Sequence, residues 1–270
     1  MKTLKNQTLI YDNECPMCNI YSKGFIQCGM LDENGREAFS ELSVKSRSVI
    51  DYKRAKNEIA LIDHSTNEVI YGLDSLLAII GNSFPVLEKI ARIQPFYWFF
   101  RKLYSFVSYN RKQIIPSSKP YTEESCVPDF NMKYRIGYIL FVVIFSSCIL
   151  SVFVTKTGLG FSRNFLRELA ICLGQIAWQT VFLKAYLKDK IWDYIGNMMT
   201  VSLIGTLLLL PALFTEFNSL FYIFYFGIVV FMMLLEHIRR CKILELNFIP
   251  SISWIIYRTI VLITLLYYYV

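Results

Sequence analysis

Thr8-Leu9-Ile10-Tyr11-Asp12-Asn13-Glu14-Cys15-Pro16-Met17-Cys18 decides how the first third of the chain folds. Thr8–Tyr11 is a short apolar run of strand type and Asn19–Cys28 is helix-like, so the Cys-x-x-Cys falls where a strand gives way to a helix N-terminus. Two intervening residues keep the sulfurs close enough to bridge. The free N–H groups and positive end of the helix favour the first sulfur as thiolate. Cys15 is the expected nucleophile and Cys18 its resolving partner, with the reversible Cys15–Cys18 disulfide as redox group and no separate cofactor or metal. Asp12 is the third candidate catalytic residue, with two readings: proton acceptor for Cys18, or helix cap, the commoner use of an Asp just before a helix. The negative charges of Asp12 and Glu14 would raise the thiolate pKa if they lay close to Cys15. A zinc site normally needs four Cys or His ligands, and Cys28, His64 and Cys126 offer no second close pair. Cys28 reads as a packing residue and His64 as a solvated loop residue.

Outward from this motif, the pattern predicts a strand at Thr8–Asp12, a helix at Pro16–Cys28, a weak strand at Glu37–Leu42 and a helix at Arg47–Ala55. Glu58–Asp63 and Glu68–Tyr71 form a hairpin, and Leu73–Ile80 is a helix stopped by Gly81-Asn82. The order βαβαββα is that of a thioredoxin-like domain. Phe84 to Ile115 turns amphipathic and aromatic. Its Pro95-Phe96-Tyr97-Trp98-Phe99-Phe100 run beside Arg101-Lys102 suits either a headgroup-level belt or helices packed on the sheet.

The whole chain, 270 residues, is 54% hydrophobic and 16% aromatic. Its mean hydropathy of +0.40 is too high for an ordinary soluble protein. Charges are dense in the first hundred or so residues and sparse after Pro128, so two unlike parts follow: a thioredoxin-like α/β domain at 1–115 with its C-terminal amphipathic helices, a polar linker at 116–133, and an all-α transmembrane bundle at 134–270. Five candidate spans are Tyr134–Val154, Leu166–Leu187, Tyr194–Phe214, Leu220–Leu235 and Ile252–Tyr269, of which the second is least secure because it carries Glu168, Gln175 and Gln179. Glu168, Cys172, Gln175 and Gln179 recur on one helix face, as helix-to-helix hydrogen bonding or as a path for a quinone, thiol or small solute. Glu236-His237-Ile238-Arg239-Arg240 reads as a charged membrane boundary.

Seven cysteines do not make a disulfide scaffold. The net charge of +7 belongs to basic residues beside apolar spans, where anionic lipid is the expected partner and nucleic acid is not. Met1–Gln7 has no apolar stretch of the export-signal kind. Basic residues (Arg111, Lys112, Lys119, Lys133 and Arg135, then Lys184, Lys188 and Lys190, then Arg239, Arg240 and Lys242) outnumber Lys156, Arg163 and Arg167 on the other side. The expected location is a bacterial cytoplasmic membrane, with the amino-terminal domain in the cytoplasm.

Tyr11-Asp12-Asn13-Glu14-Cys15-Pro16-Met17-Cys18 resembles the signature of the DCC family of thiol-disulfide oxidoreductases, in which an apolar strand runs into Asp-x-x-Cys-x-x-Cys. Tyr71-Gly72-Leu73-Asp74-Ser75-Leu76-Leu77 resembles that family's helix start after its last strand, and Leu103–Arg111 resembles its closing helix, which ends in Asn-Arg. The resemblance covers about residues 5 to 115 and implies a thioredoxin-like fold with dithiol activity. Thioredoxins place a cis-proline before the strand facing the cysteines, and Arg54-Ala55-Lys56-Asn57 contains no proline, which argues against a general protein-disulfide reductase. The expected function is a membrane-anchored thiol-disulfide oxidoreductase acting on a protein or small-molecule disulfide. The alternative is a membrane transporter or binding protein whose thioredoxin-like domain senses redox state or docks a partner.

Overall fold

The computed structural model describes residues 2–117 and 126–269 and divides the chain into two compact units, 1–134 and 135–270. The middle of the expected linker, 118–125, with Lys119, lies outside the described residues.

The amino-terminal unit is built on a four-stranded mixed sheet in the order β2-β1-β3-β4, with β1 at Gln7–Tyr11, β2 at Arg36–Ala38, β3 at Ala60–Asp63 and β4 at Val69–Tyr71. β1 runs parallel to β2, with Leu9 opposite Arg36, and antiparallel to β3, with Leu9 opposite Leu61. β3 and β4 form the expected hairpin. Successive side chains of a strand face opposite ways. Both faces here are covered: Ile10, Ala60 and Ile62 pack with Phe39, Leu42 and Ala55, while Leu9 and Leu61 pack with Leu31, Ile59 and Ile79. The central strands therefore read as unbroken apolar runs, not as alternation.

Helices α1 (Pro16–Gln27), α2 (Val44–Val49), α3 (Tyr52–Asn57), α4 (Leu73–Ser83), α5 (Pro85–Ala91) and α6 (Gln94–Ile114) complete the unit. The single helix expected at Arg47–Ala55 is two, because Ser43 and Asp51 each supply a side-chain cap, to Ser46 N and Arg54 N. Gly81 does not stop α4, which runs on to Ser83. A Cβ at Gly81 would come within 2.8 Å of the Glu88 Cβ, so the glycine is there to let α5 lie close. Gly72, at φ +68°, makes the left-handed turn from β4 into α4. The second half of α6 is buried in the unit, whereas Phe96, Trp98 and Phe99 at its start are exposed.

The second unit is all-helical: α7 (Met132–Lys156), α8 (Phe165–Leu187), α9 (Ile191–Leu209), α10 (Ser219–Ile243) and α11 (Ile249–Tyr269). Among the described residues, four stretches are long and apolar enough to cross a membrane, where the sequence predicts five. The second and third candidates belong to one run of 50 residues, Phe165–Phe214. A short 3-10 turn at Lys188–Lys190, where Lys188 takes φ +48°, divides that run into α8 and α9, which pack on each other. Phe224, Phe231, Ile263 and other large apolar side chains point outward, while Ser146, Ser147, Gln179, Thr200 and Thr206 are buried inside. Polar groups within and apolar groups without is the arrangement that hydrocarbon selects. His237 and Arg240 are also buried, hydrogen-bonded to Tyr194 and Ser251 and to Asn197, so Glu236–Arg240 is part of the helix packing as well as a charged boundary.

Tyr104 of α6 ties that helix to the sheet, its Oη accepting the Ile59 N–H at 3.0 Å. Tyr104→Phe leaves this buried N–H unpaired and is expected to cost about 1–3 kcal/mol. Denaturant titration of the full chain in detergent checks it; a midpoint identical to wild type would contradict it.

Candidate functional site

The Cys-x-x-Cys lies at the carboxyl end of β1, between the strand and α1. Cys15 is itself the N-cap of α1, its Sγ accepting the Cys18 N–H at 3.5 Å. A hydrogen bond from the Cys18 thiol is the main cause that lowers the Cys15 pKa to about 7, with burial and the Asp12 carboxylate opposing and the Cys18 N–H and the Arg111 guanidinium assisting. Cys18 moves the other way: its hydrogen bond to Cys15, burial and the neighbouring Cys15 charge all hold it as a thiol. The two sulfurs are thus unequal in the sense that exchange chemistry needs, with Cys15 the more readily ionised and Cys18 held as a thiol.

Neither sulfur is presented openly. Cys15 is 0% exposed and Cys18 4%. Cys18, not Cys15, borders a cavity of about 140 Å³, shared with Asp12, Tyr21, Tyr104, Arg111 and Cys126. Cys28, expected to pack, is exposed at the far end of α1.

Asp12 is not the cap of α1, since Cys15 occupies that position. Its Oδ1 instead accepts the Glu14 N–H at 3.0 Å, and its Oδ2 lies 3.1 Å from Lys112 Nζ and 3.4 Å from Arg111 Nε. All three side chains are buried. The sequence reading counts Arg111 and Lys112 among charges at the membrane surface; the structure puts them inside the domain, against the loop that precedes Cys15.

Arg111 also binds the backbone ahead of β3. Its Nη2 donates to Lys56 O at 3.0 Å and to Cys126 O at 2.8 Å and Sγ at 3.2 Å. The Cys126 thiol faces Ala55 O and Lys56 O, and Ser108 Oγ donates to Asn57 O. Burial pushes the Cys126 thiol up to about 12, so it is neutral at ordinary pH. The carbonyls of the segment lacking a proline are therefore occupied by the chain's own side chains. Cys126 lies far from the motif in sequence and carries no spacing signal, so sequence reasoning passes over it; the Asn-Arg ending of α6 is visible, but not its role beside Asp12.

Residues 9–116 match the family model described as DCC1-like thiol-disulfide oxidoreductase. The amino-terminal unit is a DCC1-like domain. No curated protein and no solved structure shows significant similarity to the chain. The DCC1-like domain is thioredoxin-like in fold and of an oxidoreductase family, and its α6 supplies the cationic wall of the cavity that Cys18 borders.

Removing the Arg111 charge removes a group that favours the Cys15 thiolate. In the full chain, the pH midpoint of Cys15 alkylation is expected near 7 and to rise in Arg111→Gln, as followed by mass spectrometry of the Cys15 peptide. An unchanged or lower midpoint in the variant would rule out this assignment.

Proposed function

We propose that the DCC1-like domain carries out thiol-disulfide exchange with Cys15 as nucleophile and Cys18 as resolving thiol, and that the helical unit anchors it in a membrane. The observation that carries the reading is the placement of the Cys15 sulfur at the N-cap of α1, where it accepts the Cys18 N–H at 3.5 Å and where the hydrogen bond from the Cys18 thiol lowers its pKa while raising that of Cys18. The Cys15 thiolate attacks one sulfur of a substrate disulfide, forming a mixed disulfide and releasing the first substrate thiolate. Cys18 then gives up its proton, attacks the Cys15 sulfur and releases the second thiolate, leaving a Cys15–Cys18 disulfide. Two electrons and two protons pass from the dithiol to the substrate, and a thiol reductant must return them to the Cys15–Cys18 disulfide before the next turnover. Asp12, on the same cavity as Cys18, is the proton acceptor in this scheme.

The buried Cys15 sulfur requires side chains around it to move during attack. A small cavity, together with occupied carbonyls at Lys56 and Asn57, favours a low-mass disulfide over an extended peptide. The helical unit has an electrically distinct end: Lys190 of the α8–α9 turn donates to Leu244 O beyond α10, and Arg135 at the start of α7 pairs with Asp193 at the start of α9. Lys184, Lys188, Arg239 and Lys242 belong to the same connections. Basic loops favour the cytoplasmic side. That side keeps thiols reduced, so the proposed direction is substrate reduction.

Incubated with hydroxyethyl disulfide, Cys18→Ser is expected to accumulate one adduct on Cys15, while Cys15→Ser forms none and loses exchange. Exchange at wild-type rate in Cys15→Ser would overturn the proposal. For sidedness, a membrane-impermeant maleimide should label exposed Cys28 only after the cells are opened, with Cys28→Ser as control; labelling in intact cells would reverse the orientation.

A further inference from the structure

The helical unit carries a partly open cavity of about 460 Å³. That lies within the range of about 300–1,000 Å³ typical of small-molecule sites. Most of its wall is apolar, with Leu150, Val230, Phe231 and Leu262 among the lining residues. Three hydrogen-bond donors meet on one part of it. Arg258 of α11 donates through Nε to Gln175 Oε1 of α8 at 3.1 Å, and its guanidinium lies over the Trp254 ring, 4.9 Å from the centroid. The bond from Arg258 fixes the Gln175 amide so that Nε2 is its remaining donor. Gln175 is 3% exposed, and among the described residues Nε2 has no acceptor; the same holds for Nε1 of the buried Trp254.

Arg258 is the decisive group. A guanidinium stays charged in proteins, and a charge at membrane depth is costly unless paired. Among the described residues no carboxylate pairs with Arg258, and the acidic residue that lines the cavity, Glu168, is bound by Arg167 at 2.7 Å. A cation whose acceptor here is a neutral amide oxygen, with two unused neutral donors beside it and no carboxylate partner among the described residues, calls for electron-rich oxygen from outside the chain. The apolar remainder of the cavity requires that oxygen to sit on a hydrocarbon body.

We propose that this cavity binds an amphiphile with an oxyanion head, the head held by Arg258, Gln175 and Trp254 and hydrocarbon lying among Leu150, Val230, Phe231 and Leu262. A charged head is favoured over a neutral carbonyl because only the former compensates Arg258. Gly174, one residue from Gln175, makes room for the Tyr257 hydroxyl, one residue from Arg258: a Cβ there would lie 2.4 Å from Tyr257 Oη, which donates to Ile171 O of α8 at 2.8 Å.

Native mass spectrometry of the full chain, released from a neutral detergent, tests this with palmitate, methyl palmitate, decylubiquinone and a phosphatidate as probes. One bound palmitate is expected, with the ester and the quinone held about tenfold more weakly, as loss of a charge-assisted contact implies. Retention of phosphatidate over palmitate would support the same site with a lipid headgroup as the source. Arg258→Gln is expected to weaken palmitate about tenfold or more. Trp254→Phe keeps an aromatic ring under Arg258 while removing the indole N–H together with some ring area, so it should weaken binding several-fold even where Arg258→Gln does not purify. Ester or quinone binding equal to palmitate, or palmitate binding unchanged in Trp254→Phe, would overturn the proposal.

Discussion

Asp12 with Arg111 and Lys112 is the contact on which the redox domain is organised. Asp12 follows β1 directly and precedes Cys15 by three residues, while the two cations come from the last turns of α6, about a hundred positions later. Taking three charges out of water costs several kcal/mol per ion before attraction returns it, so such a cluster is maintained only with close partners. Losing one member would leave an uncompensated charge in the interior, at a cost of about 3–5 kcal/mol. The cluster therefore makes docking of α6 all-or-none, and with it the cationic wall beside the two sulfurs. One buried carboxylate both opposes the Cys15 thiolate and recruits the guanidinium that favours it.

The strand, the helix and the thiol pair between them are plain in the sequence, since each is encoded within a few neighbouring residues. The βαβαββα order is legible for the same reason, although Ser43 and Asp51 divide one expected helix by capping locally. What sequence could not convey is burial across distance. Arg111 and Lys112 look like surface charges because the pattern around them is basic and aromatic, and only the fold brings Asp12 to them. Asp12 looks like a cap because it precedes a helix; the thiol three residues on takes that place because its sulfur, nearer the helix, reaches Cys18 N. Glycine at 81 has the signature of a stop, yet serves close helix contact instead.

The same lesson applies to the membrane part. The sequence separates all five long helices, α8 and α9 included, although in the structure those two follow each other as one apolar run because the turn between them is only three residues long. The polar stripe on α8 was visible by its spacing. Its meaning depends on α11, whose Arg258 is unremarkable in sequence and becomes conspicuous only when its distance to Gln175 is known.

The complete enclosure of the Cys15 sulfur has a further consequence. Hydrogen peroxide and similar small oxidants attack the thiolates they can touch, converting them to sulfenic and then irreversibly to sulfinic acid. A thiolate roofed over in its resting form is withheld from that damage despite its acidity, and meets an electrophile only when the roof opens. The packing around residue 15 thereby separates two properties that usually rise together, readiness to ionise and vulnerability to irreversible oxidation.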